Sequence, residues 1–280
     1  MPDWDALRDG LAAELGEAIT VDALTGDWRI VQRAAGHRHS IDDVLTAAYA
    51  LRHGMGAPPV RRALDLGTGI GTVGLLVLSG LPADATLVAV EAQAVSHRLL
   101  LANIAGNGLG ARVTPHLADL RELGGAAPTR ERFALVTGSP PYFPLGTGVL
   151  PADSQKAHAR FELRGDVADY CRAAVRWLTP DGVFVFCFPT PQRARALAAV
   201  TAAGLVTRRY QDVIPRVGRA PLFTLFATGL PSDPATVPPL PPLVEAPFEV
   251  RDAAGRMTPA ILAVRRGFGH FSVERDPEPV

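Results

Sequence analysis

Residues 63–74 read Ala-Leu-Asp-Leu-Gly-Thr-Gly-Ile-Gly-Thr-Val-Gly, and this stretch constrains the chain more than any other. Apolar residues lead into Asp65, glycines follow at Gly67, Gly69 and Gly71, and Val73, Leu75, Leu76 and Val77 continue as an apolar, helix-like run. The order is strand, tight turn, helix. Glycines in such a turn let the backbone take positive φ without a Cβ clash and let a ligand approach the main chain. Two spacings overlap. Gly69, Gly71 and Gly74 fit G-x-G-x-x-G, whereas Gly67, Gly69 and Gly71 fit G-x-G-x-G with an acid two residues earlier. A glycine-rich surface turn with no ligand is a third reading of the same residues.

The two spacings imply different cofactors. The first suggests a dinucleotide held by its pyrophosphate at a helix N-terminus. The second resembles motif I of the Rossmann-like S-adenosylmethionine (SAM) methyltransferases. Asp65 favours SAM, because a carboxylate attracts an ammonium and a sulfonium but repels a pyrophosphate. Asp65, Gly67, Thr68, Gly69 and Gly71 then form one wall of a cofactor site. Glu91 ends the predicted strand 86–90, where an acid accepts hydrogen bonds from ribose hydroxyls under either reading, with Ala92 beside it. Asp119, with Leu120, follows a third predicted strand at 112–117 and is placed to accept from the cofactor's adenine amino group.

The chain has 280 residues, 48% of them hydrophobic, and no apolar run long enough to span a bilayer. No charged-then-apolar leader opens it, so a cytoplasmic, monomeric protein with no membrane contact is expected. Formal net charge is zero, so a polyanionic partner must be met by a local patch. Arg160, Arg164, Arg208, Arg209, Arg216, Arg219, Arg265 and Arg266 are candidates for it. Cys171 and Cys187 lie in apolar patterns without C-x-x-C or a histidine cluster and read as buried thiols, so no metal is expected.

Residues 3–18 predict an amphipathic helix, 20–32 a hairpin, and Ser40 with Asp43 a capped helix start running to about His53. These make up an N-terminal segment, 1–55, packed on a core domain of 56–230. His37 and His39 read as surface residues or a substrate-side rim. Within the core, strands are expected at 62–66, 86–90, 112–117, 132–137, 183–188, 208–213 and 222–228. Helices are expected at 73–79, 94–107, 166–178 and 191–203, with a polar loop over 145–165. Alternation of this kind predicts a parallel doubly wound α/β sheet. The loop between the last two strands is too short for a crossover helix, so one strand should run antiparallel. Residues 231–280 form a proline-rich connector, extended and unpaired over 231–247, then small elements at 248–250 and 257–266, and a frayed end from 276.

Ser139-Pro140-Pro141-Tyr142 stands at the end of the fourth core strand. It resembles motif IV of the amino methyltransferases, written Asn/Asp-Pro-Pro-aromatic. An adenine or amide nitrogen is a poor nucleophile because its lone pair is delocalised. A side-chain oxygen at Ser139 and the Pro140 carbonyl, held by the rigid Pro-Pro unit, can each accept an N–H and draw that lone pair out of conjugation. Tyr142 offers a planar group a face to stack on, typically worth about 1–3 kcal/mol for a nucleobase.

Taken together, residues 20–270 resemble the bacterial N6-adenine methyltransferases that modify valine tRNA in the anticodon loop, relatives of the protein-glutamine N5-methyltransferases of release factors. Beside the glycine turn and Pro-Pro-Tyr-Phe, the resemblance rests on three further pieces. They are Gln32 with Gly36-His37-Arg38-His39-Ser40-Ile41-Asp42, then Ala159-Arg160-Phe161-Glu162, then the tail Met257-Thr258-Pro259. Ser139 stands where that family usually has Asn, and His39 and Phe161 exchange aromatic and imidazole character. The resemblance implies a class I SAM-dependent methyltransferase with a seven-stranded, mostly parallel sheet and one antiparallel strand. It implies methyl transfer to an exocyclic adenine nitrogen of RNA, most directly tRNA, with Arg38, Ser40, Phe143 and Arg160 on the substrate. Transfer to a protein glutamine amide or a small-molecule amine, or a silent SAM-binding homologue, are the alternatives, and a nicotinamide-dependent oxidoreductase, through Gly69, Gly71 and Gly74, is the reading furthest from the residues.

Overall fold

The computed structural model describes residues 3–54, 59–123, 132–232 and 241–270. Helix α1 (Trp4–Leu15) starts at an Asp3 cap whose side chain accepts from the amides of Asp5 and Ala6, and it ends at Gly16 in the left-handed region. Strands β1 (Ile19–Ala23) and β2 (Arg29–Arg33) pair as an antiparallel hairpin, and α2 (Ile41–Gly54) follows. The α/β alternation then runs β3 (Arg62–Leu66), α3 (Thr72–Gly80), β4 (Thr86–Glu91), α4 (Ala94–Gly106), β5 (Val113–Leu117) and β6 (Phe133–Gly138). After β6 come α5 (Ser154–Arg160), α6 (Val167–Trp177), β7 (Leu178–Pro189), α7 (Arg193–Ala202), β8 (Val206–Ile214), β9 (Phe223–Gly229), β10 (Leu243–Glu249) and α8 (Pro259–Gly267).

Among the described residues eight strands form one sheet in the order β10-β8-β9-β7-β6-β3-β4-β5, and only β9 runs against the rest. Both faces are covered, which is why the central strands read as nearly unbroken apolar runs. Ala63, Leu87, Leu135 and Val185 point into the layer built by α2, α3 and α4. Leu64, Leu66, Val136 and Phe184 point into the layer built by α6 and α7. Phe184, Phe186 and Phe226 stack there with ring centroids 5.0 and 4.8 Å apart, closing β7 against β9.

Three expectations are corrected. The sheet has eight strands, not seven, because Leu243–Glu249 pairs with β8 as an edge strand. Its proline, Pro247, falls where the pairing slips between Glu245 and Phe248, and an edge strand tolerates a residue without an N–H at such a place. Residues 154–160 are helical where a loop was expected. Asp153 caps that helix through the Lys156 amide at 2.9 Å, and Arg33 of β2 grips the same carboxylate at 2.6 Å. Thr179–Gly182 lies within β7, where a register shift against β6 absorbs it. Residues 233–240 of the proline-rich connector, and the end from 276, lie outside the described residues.

Candidate active site

Strand β3 pairs with β4 on one side and β6 on the other, and the chain departs in opposite directions from this point. Such a switch point opens a crevice at the carboxyl ends of the strands. Leu66 sits opposite Gly138, so the glycine turn after β3 and the Ser139 tetrapeptide after β6 emerge side by side. The two motifs, far apart in sequence, share one cavity lined by Asp65, Gly67, Thr68, Gly69, Glu91 and Ser139 among others.

Asp65 organises the near wall. Its Oδ2 accepts from the Thr68 hydroxyl at 2.6 Å and the Gly74 amide at 3.0 Å, and its Oδ1 accepts from the Thr137 hydroxyl at 2.7 Å. Thr137 belongs to β6, so one carboxylate ties the glycine turn to the strand that carries Ser139. Asp65 is 1% exposed, and burial pushes its carboxyl above the ordinary range against the pull of those three donors. With both oxygens engaged inside the fold, its reach toward a ligand runs through the turn it shapes. Gly67 takes φ 61°, and a Cβ there would lie 2.0 Å from the Tyr170 hydroxyl. Gly69 takes φ 60° but faces open space, with nothing within 4 Å of where a Cβ would stand.

Glu91 forms the next wall. It accepts from the Gly69 amide at 2.8 Å and the Gln93 amide at 2.6 Å, and burial raises its carboxyl above the ordinary range. Asp119 and Leu120 follow β5 and line the same cavity, as does Ala92. Arg121 holds Asp119 by a two-pronged ion pair, at 3.0 and 2.6 Å, and keeps that carboxyl below its ordinary range. Arg164 crosses the cavity and donates to the Ala92 carbonyl.

On the opposite side, Ser139 and Pro141 line the cavity and Pro140 is buried beneath them. Tyr142 does not line it. Its hydroxyl donates to Asp42 Oδ2 at 2.8 Å and lies 3.2 Å from Cys187 Sγ, which is itself 3.6 Å from Ser139 Oγ. The Tyr142 ring meets Phe188 edge-on at 6.1 Å, and its carbonyl accepts from Gln192 at 2.7 Å.

The four residues expected on the substrate stand outside the cavity. Arg38 turns to the hairpin and donates to Thr20 and Asp22, at 2.9 and 3.1 Å. Ser40 stands just before α2, its amide donating to Asp43 and its hydroxyl to Asp42. Phe143 is exposed against Phe161 at 5.4 Å, and its amide donates to the Arg160 carbonyl at 2.9 Å. Of the arginines proposed as an RNA-facing patch, Arg208 lies near the far end of the sheet on the Asp181 carbonyl, and Arg209 is paired with Glu245.

Sequence reasoning missed Asp43, Gln155 and Tyr170, all of which line the cavity. Gln155 is 2% exposed and ties three segments together by accepting from Arg33 and the His37 amide and donating to Ser96. Nothing in a polar loop marks such a residue. Asp43 follows the Ser-Ile-Asp signal by one position. Its carboxyl is held well above the ordinary range by burial first and by the charges of Asp42 and Asp65 after it, against the Ser40 amide.

No protein-family model matches the chain. Among curated proteins it is similar to the tRNA1(Val) (adenine(37)-N6)-methyltransferase of Citrobacter koseri, 28% identical over 186 residues, spanning 66% of this chain and 72% of that one. The protein of the same name from Salmonella paratyphi B is 30% identical over 169 residues, spanning 60% of this chain and 67% of that one. The chain belongs to the tRNA1(Val) (adenine(37)-N6)-methyltransferase family.

Solved structures agree on the fold of this methyltransferase. A predicted O-methyltransferase from Agrobacterium tumefaciens superposes with a TM-score of 0.59 at 20% identity, covering 81% of this chain and 96% of that one. The archaeal-type Trm5 in complex with tRNALeu gives 0.52 at 12% identity, covering 77% and 54%. The architecture is that of the class I SAM-dependent methyltransferases. The cavity fits SAM as methyl donor: an open cradle lies above Gly69, and carboxylates at Glu91 and Asp119 flank it.

Proposed function

We propose that the methyltransferase acts on the exocyclic amino nitrogen of an adenosine in RNA, most directly a tRNA, as a monomer. The observation that carries this reading is the pairing of Leu66 with Gly138, which sets Ser139 and the diproline unit against the cofactor turn. SAM supplies an electrophilic methyl group on a sulfonium. Gly67, Thr68 and Gly69 would line its cradle, with Glu91 and Ala92 toward its ribose and Asp119 and Leu120 toward its adenine. Gly71, expected in the same wall, lies outside the cavity and would act by shaping the turn, its amide on the Thr68 carbonyl at 2.9 Å.

The chain's own contribution to the chemistry is position. Ser139 Oγ and the Pro140 carbonyl accept the two N–H bonds of the target amine, so that its lone pair faces the methyl group. A neighbouring Cys187 thiol can donate to Ser139 Oγ, leaving the hydroxyl's own proton free to turn away from the amine. No general base is needed before transfer, since the nitrogen loses its proton after it becomes cationic. The target base has to leave its stack, and a flexible loop makes that step inexpensive. Phe143 and Arg160, adjacent at the rim, are placed for the nucleotides around it.

Tritiated-methyl transfer to unmodified tRNA tests the reading, with wild type beside Ser139→Ala and Ser139→Asn. Wild type should label tRNA and not a protein extract. Ser139→Ala should lower kcat about tenfold, the loss of one hydrogen bond of about 1.4 kcal/mol, with SAM affinity unchanged. Labelling of protein in place of tRNA would move the acceptor to a glutamine amide.

A further inference from the structure

A second cavity, of about 450 Å³, opens at the same end of the sheet as the cofactor pocket. Val213 and Pro215 stand at the carboxyl end of β8, and Leu222 and Phe223 at the start of the antiparallel β9, so both pairs lie at the edge where β3 and β6 also finish. His39 lines both cavities and forms the partition between them. The volume lies within the roughly 300–1,000 Å³ of ligand-sized clefts.

The two cavities differ in charge. The cofactor pocket has Asp43, Asp65, Glu91 and Asp119 in its walls. Among the described residues no aspartate or glutamate lines the second, whose polar groups are Arg251, Arg265, His39 and His270. Arg251 donates to the Gly255 carbonyl at 2.8 Å and Arg265 approaches Met257 Sδ at 3.9 Å. Neither guanidinium has a carboxylate partner among the described residues. Leu24, Ile41, Phe223, Met257 and Phe268 make the remaining surface apolar. The C-terminal segment closes it onto the hairpin: the Gly26 amide donates to the Phe268 carbonyl at 2.8 Å, and His270 Nε2 lies 3.1 Å from the Leu24 carbonyl.

An apolar slot edged by guanidinium groups without carboxylate partners among the described residues matches a flat base joined to a phosphate. We propose that this cavity takes the nucleotide next to the methylated adenosine, its base against Leu222 and Met257 and its phosphate on Arg251 and Arg265. The inference rests on the RNA reading above. It gives the C-terminal segment a task, since extruding one base from a loop leaves its neighbour with an open face that the protein must cover. His39 then separates the two bases.

Crosslinking tests the assignment. The modified adenosine is first located in tRNA by methyl transfer, and 4-thiouridine is then placed on either side of it in separate stem-loop RNAs. Irradiation with the full chain should attach one of the two to a peptide carrying Leu222, Met257 or Phe268. The double variant Arg251→Ala, Arg265→Ala should bind the stem-loop about tenfold more weakly at low salt with a shallower salt dependence, its SAM affinity unchanged. Wild type that methylates tRNA while both thiouridines crosslink elsewhere, or a double variant that binds like wild type, overturns the cavity assignment and leaves the methyltransferase reading in place. Occupancy by an apolar peptide, with RNA held elsewhere, overturns it equally. Wild type that neither methylates nor retains RNA removes both.

Discussion

Tyr142 donates its hydroxyl to Asp42 Oδ2 at 2.8 Å, joining the loop after β6 to the first turn of α2. The bond fixes the diproline unit from the side away from the cofactor. Tyr142→Phe and Asp42→Ala should each lower kcat severalfold with little change in SAM affinity. Together they should cost no more than the worse of the two, a coupling of about 1 kcal/mol or more. Strictly additive losses in a double-mutant cycle of kcat would show that the two side chains act separately. Tyr142→Ala should lose most activity, and an equal loss of SAM binding by calorimetry would make the ring structural.

Gly67 and Gly69 share a left-handed backbone but not their surroundings. Gly67→Ala combines the φ penalty with a collision against the buried Tyr170 hydroxyl and should destabilise the fold by about 2–4 kcal/mol in urea denaturation. Gly69→Ala meets no atom and should cost about 1–2 kcal/mol, yet its methyl group would enter the cofactor cradle. SAM affinity should therefore fall more than stability does. A Gly69→Ala protein that binds SAM normally would move the cradle elsewhere.

Asp43 gives the stability a pH dependence of known sign. Its folded carboxyl titrates above the ordinary value of 3.8, so the folded state binds the proton more tightly than the unfolded chain. Wild type should lose stability as pH rises from that value through the folded one, where the ionised form becomes costly. Asp43→Asn carries no such charge and should gain on wild type over the same rise. Denaturation midpoints compared across that range decide it, and a constant difference would mean that Asp43 ionises freely.

Both thiols should be inert in the native protein. Burial pushes Cys171 and Cys187 up to about 12, and both are free. Iodoacetamide near neutral pH should modify them only after unfolding, as read by mass spectrometry. Rapid labelling of native Cys187 would show that the wall behind Ser139 opens to solvent.

What was legible in the chain was local. Periodicity and turn chemistry set the hairpin, α2, the alternating core elements and the antiparallel pairing of β9, because each depends on residues close in sequence. The edge strand β10 was hidden by Pro247 and the proline-rich run before it, since its pairing is decided by the free edge of β8 and not by its own composition. Helix α5 was hidden for a similar reason: Arg33, over a hundred residues away, helps to hold its cap.

The sequence by itself determined the two motifs, a glycine turn that only residues without a Cβ can make and a rigid diproline corner, and with them the family. Tertiary structure decided what each acid does. Asp65 became the buried tie between β3 and β6, Glu91 the anchor of the Gly69 amide, and Asp43 a raised carboxyl at the pocket wall. A carboxylate's role follows from which donors reach it and how far water is excluded, and both are set by neighbours that strand order brings together.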